Sequence, residues 1–145
     1  MPITLRQISK ENYEAVCDLE VTTEQEDYVS TNMWSLVESH YNDGYETRAI
    51  YKEEQPVGFF MWVQESNTKV SIWRFMVDHN HQQQSVGRTA LGLALTEIKS
   101  LANLAEIEIC YSPSNPVAKG FYSSFGFIEI GMDEDNEDML AIITL

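Results

Sequence analysis

The sequence predicts a mixed α/β fold, one sheet with helices on its faces, and three observations predict it. The middle of the chain is a meander of β-rich runs, "TRAIYKEE", "PVGFFMWVQES" and "KVSIWRFMVD", cut by the turns "EEQP" and "ESNT". Soon after comes the strongest helix signal: Leu91, Ala94, Leu95, Ile98, Leu101 and Ala102 fall at i, i+3, i+4, i+7 spacing. Strand-like and helical runs then alternate to the end with no linker, repeat or low-complexity tract, so residues 1–145 read as one domain.

Taken in order, "ITLRQI" reads as a first short strand. "SKENYEAVCDLEV" reads as a helix with Ser9 as its N-cap and Tyr13, Val16 and Cys17 on one face. In "STNMWSLVESHYNDG", Met33, Trp34, Val37 and Tyr41 recur at helical spacing and Gly44 makes a stop. The three meandering strands follow, then the helix over residues 85–102. "AEIEICYS" reads as a buried strand, which makes Cys110 a buried thiol rather than a disulfide partner. "NPVAKGFYSSFGF" reads as a helix, with Pro116 suited to its first turn and Gly126 to its end. Two closing strands, "FIEIGM" and "DMLAIITL", flank the acidic turn "DEDNED".

Bulk properties narrow the function. An apolar content of 43% with 16 aromatic residues fits a globular protein. No run of eighteen apolar residues occurs and the N-terminus is polar, so a soluble, cytoplasmic protein with no membrane contact is expected. Cys17 and Cys110 lack metal-ligand spacing, and no metal is expected. A net charge of -14 argues against nucleic acid and anionic membrane as partners. Such a surface would draw a small cationic substrate, although it also serves solubility alone.

Two segments carry chemistry. "QQQSVG" (residues 82–87) lies between a strand and the best helix, where first-turn amides without internal partners suit a phosphate. A lone Gly87 also fits an ordinary polar turn. The second segment sets Asn115, Ala118, Phe121, Tyr122, Gly126 and Phe127 on a helix that follows the next strand. Strand-to-helix junctions of this kind bring both helix starts to one edge of the sheet, where ligands of open α/β sheets collect.

On these residues the chain resembles the GCN5-related N-acetyltransferase (GNAT) superfamily over essentially its whole length. The acetyl-CoA loop of that family usually reads Q/R-x-x-G-x-G/A. Here it reads Gln82-Gln83-Gln84-Ser85-Val86-Gly87, with Ser85 in the first glycine's place. The second signature, N-x-x-A-x-x-x-Y-x-x-x-G-F, is complete from Asn115 to Phe127. Upstream, Gln25, Tyr28, Val29 and Asn32 resemble the Q-x-x-Y-V-x-x-N of the bacterial diamine and polyamine (spermidine, spermine) acetyltransferase branch.

The resemblance implies a GNAT fold: a mixed, mostly antiparallel sheet with two splayed parallel strands and about four helices. It implies acetyl-CoA as co-substrate and a small primary amine, a polyamine, as acceptor. The main chain of Phe75, Met76 and Val77 would face the pantetheine arm, and the amides from Gln83 to Arg88 the pyrophosphate. Arg88 either adds charge there or is simply solvated. Asn115 either binds the arm, caps its helix, or does both. A serine at φ > 0 would cost on the order of 1 kcal/mol, and its hydroxyl could cap the helix. Tyr122 takes the general-acid position, giving a proton to the leaving thiolate. Gln25, Tyr28, Asn32 and Glu38 would shape the acceptor side, while the base stays open among Glu24, Glu26, Asp27, Glu38, the "DEDNED" acids and water. His79 and His81 are assigned to the surface. Homodimers are common in the superfamily. Acceptors of another class, and an idle acyl-CoA-binding module, are the competing readings.

Overall fold

The computed structural model describes residues 2–21, 31–82 and 85–145. Gln25, Tyr28, Gln83 and Gln84, together with Glu24, Glu26, Asp27 and Val29, lie outside the described residues. Among the described residues one sheet holds seven strands: β1 (Ile3–Arg6), β2 (Tyr45–Lys52), β3 (Gln55–Gln64), β4 (Lys69–Val77), β5 (Glu106–Tyr111), β6 (Ile128–Met132) and β7 (Met139–Thr144). Their spatial order is β1-β2-β3-β4-β5-β7-β6. Four helices, α1 (Tyr13–Cys17), α2 (Asn32–His40), α3 (Val86–Lys99) and α4 (Ala118–Ser123), complete the described fold.

All neighbouring strands are antiparallel except β4 and β5. That parallel pair is short: Lys69 to Ile72 lie beside Glu106 to Ile109, and pairing ends there. Along β3 the register slips at the same level, since Met61 faces Arg74 while Trp62 faces Ile72, leaving Trp73 as an extra residue. A bulge bends its strand and increases the local twist. β4 therefore swings away from β5 beyond Ile72, and the two strands form a fork. This is the splayed parallel pair that the resemblance implies.

Two apolar layers sandwich the sheet. One joins Phe60, Trp62, Val70, Ile72, Ile107 and Ile109 to Val86, Ala90, Leu91, Ala94, Leu95 and Ile98 of α3. The other joins Ala49, Tyr51, Phe59, Met61 and Met76 to Val16 of α1. Gly58 shows how closely β3 and β4 approach, because an added Cβ there would lie 2.5 Å from the Met76 carbonyl oxygen.

Several expected details are corrected. Ser9 does not cap α1: its carbonyl accepts from Asn12 N–H (3.2 Å) and Tyr13 N–H (2.9 Å) in a turn, and Asn12 takes the N-cap position. Tyr13 is exposed, and only Val16 of the expected face is buried. α3 ends at Lys99, so Leu101 and Ala102 lie beyond it, exposed, before the chain reverses at Asn103 with φ +66. Cys110 is not buried, because strand alternation sends Ile107 and Ile109 into the core and Cys110 to the other face.

The helix expected from Met33, Trp34, Val37 and Tyr41 forms as α2, but these residues do not face the core. Its buried residues are Asn32 and Ser35, whereas Met33, Trp34, Val37 and Tyr41 are exposed, Trp34 by 61% and Tyr41 by 79%. Half-buried Leu36 packs inward, and of the polar bonds here only that of Asn32 reaches outside the helix to hold this rotation. Thr31 accepts from Trp34 N–H (3.2 Å), the Ser35 hydroxyl donates to Thr31 O (3.2 Å), and the Asn32 amide donates to Val16 O (2.8 Å). Gly44, at φ +81, turns the chain into β2 rather than ending the helix, which stops at His40.

Candidate active site

The fork opens into a cleft of about 430 Å³. Its walls are Val21, Phe75, Met76, Val77, Gln82, Ser85, Gly87, Arg88, Asn115, Val117, Ala118, Phe121 and Tyr122. One strand end, one loop and two helix starts thus meet at one edge of the sheet, as the order of elements predicts.

The strand side is set by register. Gly58 faces Val77, and Asp78 N–H donates to Val57 O at 2.7 Å. Gly58 and Val77 are therefore a non-hydrogen-bonded pair, so the main-chain groups of Val77, and of Phe75 two residues back, face the fork. Gln82 reaches the Val77 carbonyl from that side, donating from Nε2 at 2.9 Å. Met76 departs from expectation: its main chain turns to β3, and it meets the cleft through its side chain. The Phe75 ring stacks on Phe60 at 4.3 Å and lies 6.1 Å from Phe121, which makes it both core and cleft floor.

In the loop, Ser85 stands at φ +63, ψ 8, in the left-handed region. A side-chain N-cap bond needs extended backbone at the capping residue, so the Ser85 hydroxyl makes none, against expectation. Its carbonyl still accepts from Thr89 N–H at 3.1 Å and starts α3. Val86 is buried and offers the loop only its amide. At Gly87 an added Cβ would lie 3.5 Å from Phe75 Cζ and 3.7 Å from Val77 Cγ2, ordinary contacts on the cleft wall. Arg88 is held at the rim, over Phe121 (5.4 Å) and Phe125 (5.1 Å), donating to Ser124 Oγ at 3.1 Å.

On the opposite wall α4 begins at Ala118, not at Pro116. Asn115 Oδ1 accepts from Val117 N–H (3.2 Å) and closes the preceding turn. Gly126, at φ +101, ends this segment as expected. Tyr122 sits among Tyr111 (5.5 Å, 23° between rings), Phe121 (5.2 Å) and Phe127 (6.0 Å). Burial, then Cys110 and Tyr111, raises its phenol well above the usual tyrosine range, so it stays protonated at neutral pH.

The other face of the fork carries charge. Glu38 of α2 pairs with Arg74 at 3.2 Å. Arg74 also donates to Trp73 O (3.0 Å), and its Nε is buried without a partner among the described residues. Glu108 lies between Lys69 (3.3 Å) and the Ser71 hydroxyl (3.5 Å). Desolvation, with Asp138 next in effect, pushes the Cys110 thiol up to about 11 despite its exposed strand position. Asp133 is occupied within the acidic turn, its Oδ1 accepting from Glu137 N–H (2.9 Å) and Asp138 N–H (3.3 Å). Among the described residues no group of His, Cys, Asp and Glu is arranged to hold a metal.

The cleft gathers Phe75, Met76, Val77, Gln82, Ser85, Gly87, Arg88, Asn115 and Tyr122, with Val86 beneath it in the core. Asn32 is instead buried, its amide on Val16 O and Met76 Sδ (3.5 Å), where it positions α2. Glu38 faces Arg74. His79 is exposed in the 3-10 turn His79–His81, whereas His81 is half-buried with its Nδ1 unpartnered among the described residues. Sequence reasoning missed Val21, Val117 and Arg74. It also missed Asp78, buried, which accepts from Glu20 N–H at 2.9 Å and so ties the end of β4 to the Val21 wall. An Asp at the exit of a strand beside a loop is the only signal that could have marked it.

The chain is similar to known proteins over most of its length. The family model described as "Acetyltransferase (GNAT) family" matches residues 7–127. The spermine/spermidine N(1)-acetyltransferase of Bacillus subtilis (strain 168) is 25% identical over 134 residues, 88% of each chain. The crystal structure of spermidine N-acetyltransferase from Vibrio cholerae, in complex with CoA and spermine, superposes with a TM-score of 0.80 at 16% identity, covering 98% of this chain and 95% of that one. The PaiA N-acetyltransferase from Thermoplasma acidophilum, in complex with coenzyme A, gives 0.77 at 17% identity and full coverage of both. These two structures share the fold. Among the described residues no helix is long and apolar enough to cross a membrane.

Proposed function

The chain belongs to the acetyltransferase (GNAT) family and is an N-acetyltransferase; on that premise we propose that it acetylates a small polyamine, spermidine or spermine, from acetyl-CoA. The observation that carries the reading is the fork itself: a β4 edge that β5 leaves beyond Ile72, a helix start and the Tyr122 phenol line one cleft. The main chain of Phe75 and Val77 would pair with the pantetheine arm. The first amides of α3, with those of Gln83 and Gln84, would hold the pyrophosphate, with Arg88 beside them.

The amine nitrogen bonds to the acetyl carbon, the C–S bond breaks, and the sulfur leaves as thiolate. Fork-facing N–H groups stabilise the oxyanion. Tyr122 gives the thiolate its proton and regains one from solvent. A polyamine ammonium, with a pKa of about 10, first loses a proton to a carboxylate or water on the α2 side of the fork. The net charge of -14 attracts a polycation, and the Bacillus relative is named for one. Two free cysteines fit a cytoplasmic location.

A second reading rests on Arg74. A half-buried guanidinium with one N–H unpartnered among the described residues favours an acceptor that carries a carboxylate, such as an amino acid. Thiol release from acetyl-CoA, followed over spermidine, spermine, neutral monoamines and amino acids, separates the two. The polyamine reading expects the highest kcat/KM on spermidine or spermine. Turnover on amino acids alone would replace it with the Arg74 reading.

A further inference from the structure

Tyr122 has a support that neither signature motif contains. Tyr111 lies on β5, eleven residues earlier, and its ring stacks on the Tyr122 ring at 5.5 Å and 23°. The Tyr111 hydroxyl donates to Glu129 Oε2 on β6 in a short hydrogen bond. The other oxygen of Glu129 lies 3.5 Å from Lys119 Nζ. Lys119 stands on α4, three residues before Tyr122. The chain of contacts therefore closes on itself: ring to ring, phenol to carboxylate, carboxylate to ammonium, and back along one turn of helix.

α4 is a six-residue helix without a side-chain N-cap, too short to hold a geometry by itself. Phe121 and Phe127 border Tyr122 edge-on, and Tyr111 is the ring that covers its face in near-parallel stacking. Misplacing a reacting group by about 1 Å can cost on the order of 100-fold in rate.

We propose that Tyr111, fixed by Glu129, is a positioning residue that sets where the Tyr122 phenol stands in the cleft. This rests on the reading of Tyr122 as proton donor but not on the identity of the amine. It uses no atom of the acetyl-CoA loop.

The test is a double-mutant cycle on kcat, with acetyl-CoA and spermidine saturating, or the best amine of the panel above in place of spermidine. Tyr111→Leu should lower kcat on the order of tenfold and leave the KM for acetyl-CoA unchanged. Tyr111→Phe, which keeps the stacked ring, should recover most of that loss. In a Tyr122→Phe background Tyr111→Leu should cost nothing further, because a group acting only through the phenol has nothing left to position. Glu129→Gln enters the same cycle should Tyr111→Leu fail to fold, with a smaller loss that also disappears without the phenol. Losses that multiply in the double variant, or a Tyr111→Leu enzyme with full kcat beside an impaired Tyr122→Phe enzyme, would overturn the positioning role alone. Full kcat in Tyr122→Phe would remove Tyr122 as donor, and the positioning role with it.

Discussion

α3 and α2 lie on opposite sides of the sheet and treat their apolar residues in opposite ways. α3 buries Val86, Ala90, Leu91, Ala94, Leu95 and Ile98 in one stripe, so its rotation follows from hydrophobic burial. α2 buries Asn32 and Ser35 and turns Met33, Trp34 and Val37 outward, with Tyr41 exposed just past its end. There the Asn32 amide on Val16 O holds the rotation, with half-buried Leu36 packed inward beside it, while the bonds of Thr31 and Ser35 stay within the helix. Apolar periodicity thus predicts that a helix forms. It predicts which side faces in only where nothing polar competes.

Stability measurements can break this comparison most sharply. Leu91→Ala should cost about 2–5 kcal/mol of unfolding free energy, the range for emptying a packed leucine site. Val37→Ser on the outward side of α2 should stay within about 0.5 kcal/mol. A large loss at Val37 in chemical denaturation would mean that the α2 face is covered, and the contrast would fail.

On the α3 side the next effect is on binding. Gly87→Glu should weaken acetyl-CoA at least about tenfold by calorimetry, placing bulk and negative charge on the cleft wall while the fold persists. Gly87→Ala, whose Cβ meets only ordinary contacts, should retain the melting temperature and serve as its control. Unchanged affinity in Gly87→Glu would move the pyrophosphate elsewhere. The smallest effect is expected at Ser85. Ser85→Gly removes a left-handed cost of about 1 kcal/mol, offset in part by greater unfolded-state freedom. Stability should rise by less than about 1 kcal/mol, and a fall would show that the serine side chain contributes something the geometry does not account for.

How far the sequence was legible follows the same divide. The α3 side could be read: a β meander, a periodic helix, the loop residues Gln82, Ser85 and Gly87 and the segment that begins at Asn115 meet at the cleft. The φ > 0 at Ser85 could be weighed only as a condition, from the glycine it replaces. What failed there was the hydroxyl cap, because a left-handed residue cannot present its side chain to the first-turn amides. The fork could be inferred only through resemblance, since the bulge at Trp73 that opens it leaves no mark in the alternation of β4. On the α2 side, Asn32 looked like a contact residue and is a buried brace. Glu38 looked like a free carboxylate and is paired with Arg74. Both depend on long-range partners, Val16 with Met76 and Arg74, that no local pattern encodes.

The central claim is that the β4–β5 fork is the acetyl-CoA site and Tyr122 its proton donor. A crystal structure with coenzyme A tests it most directly. The account predicts the pantetheine arm along Phe75 and Val77, the pyrophosphate on the amides that open α3, and the sulfur within hydrogen-bonding reach of the Tyr122 hydroxyl. Coenzyme A bound with its pyrophosphate away from Ser85–Arg88, or with its sulfur remote from Tyr122, would contradict it.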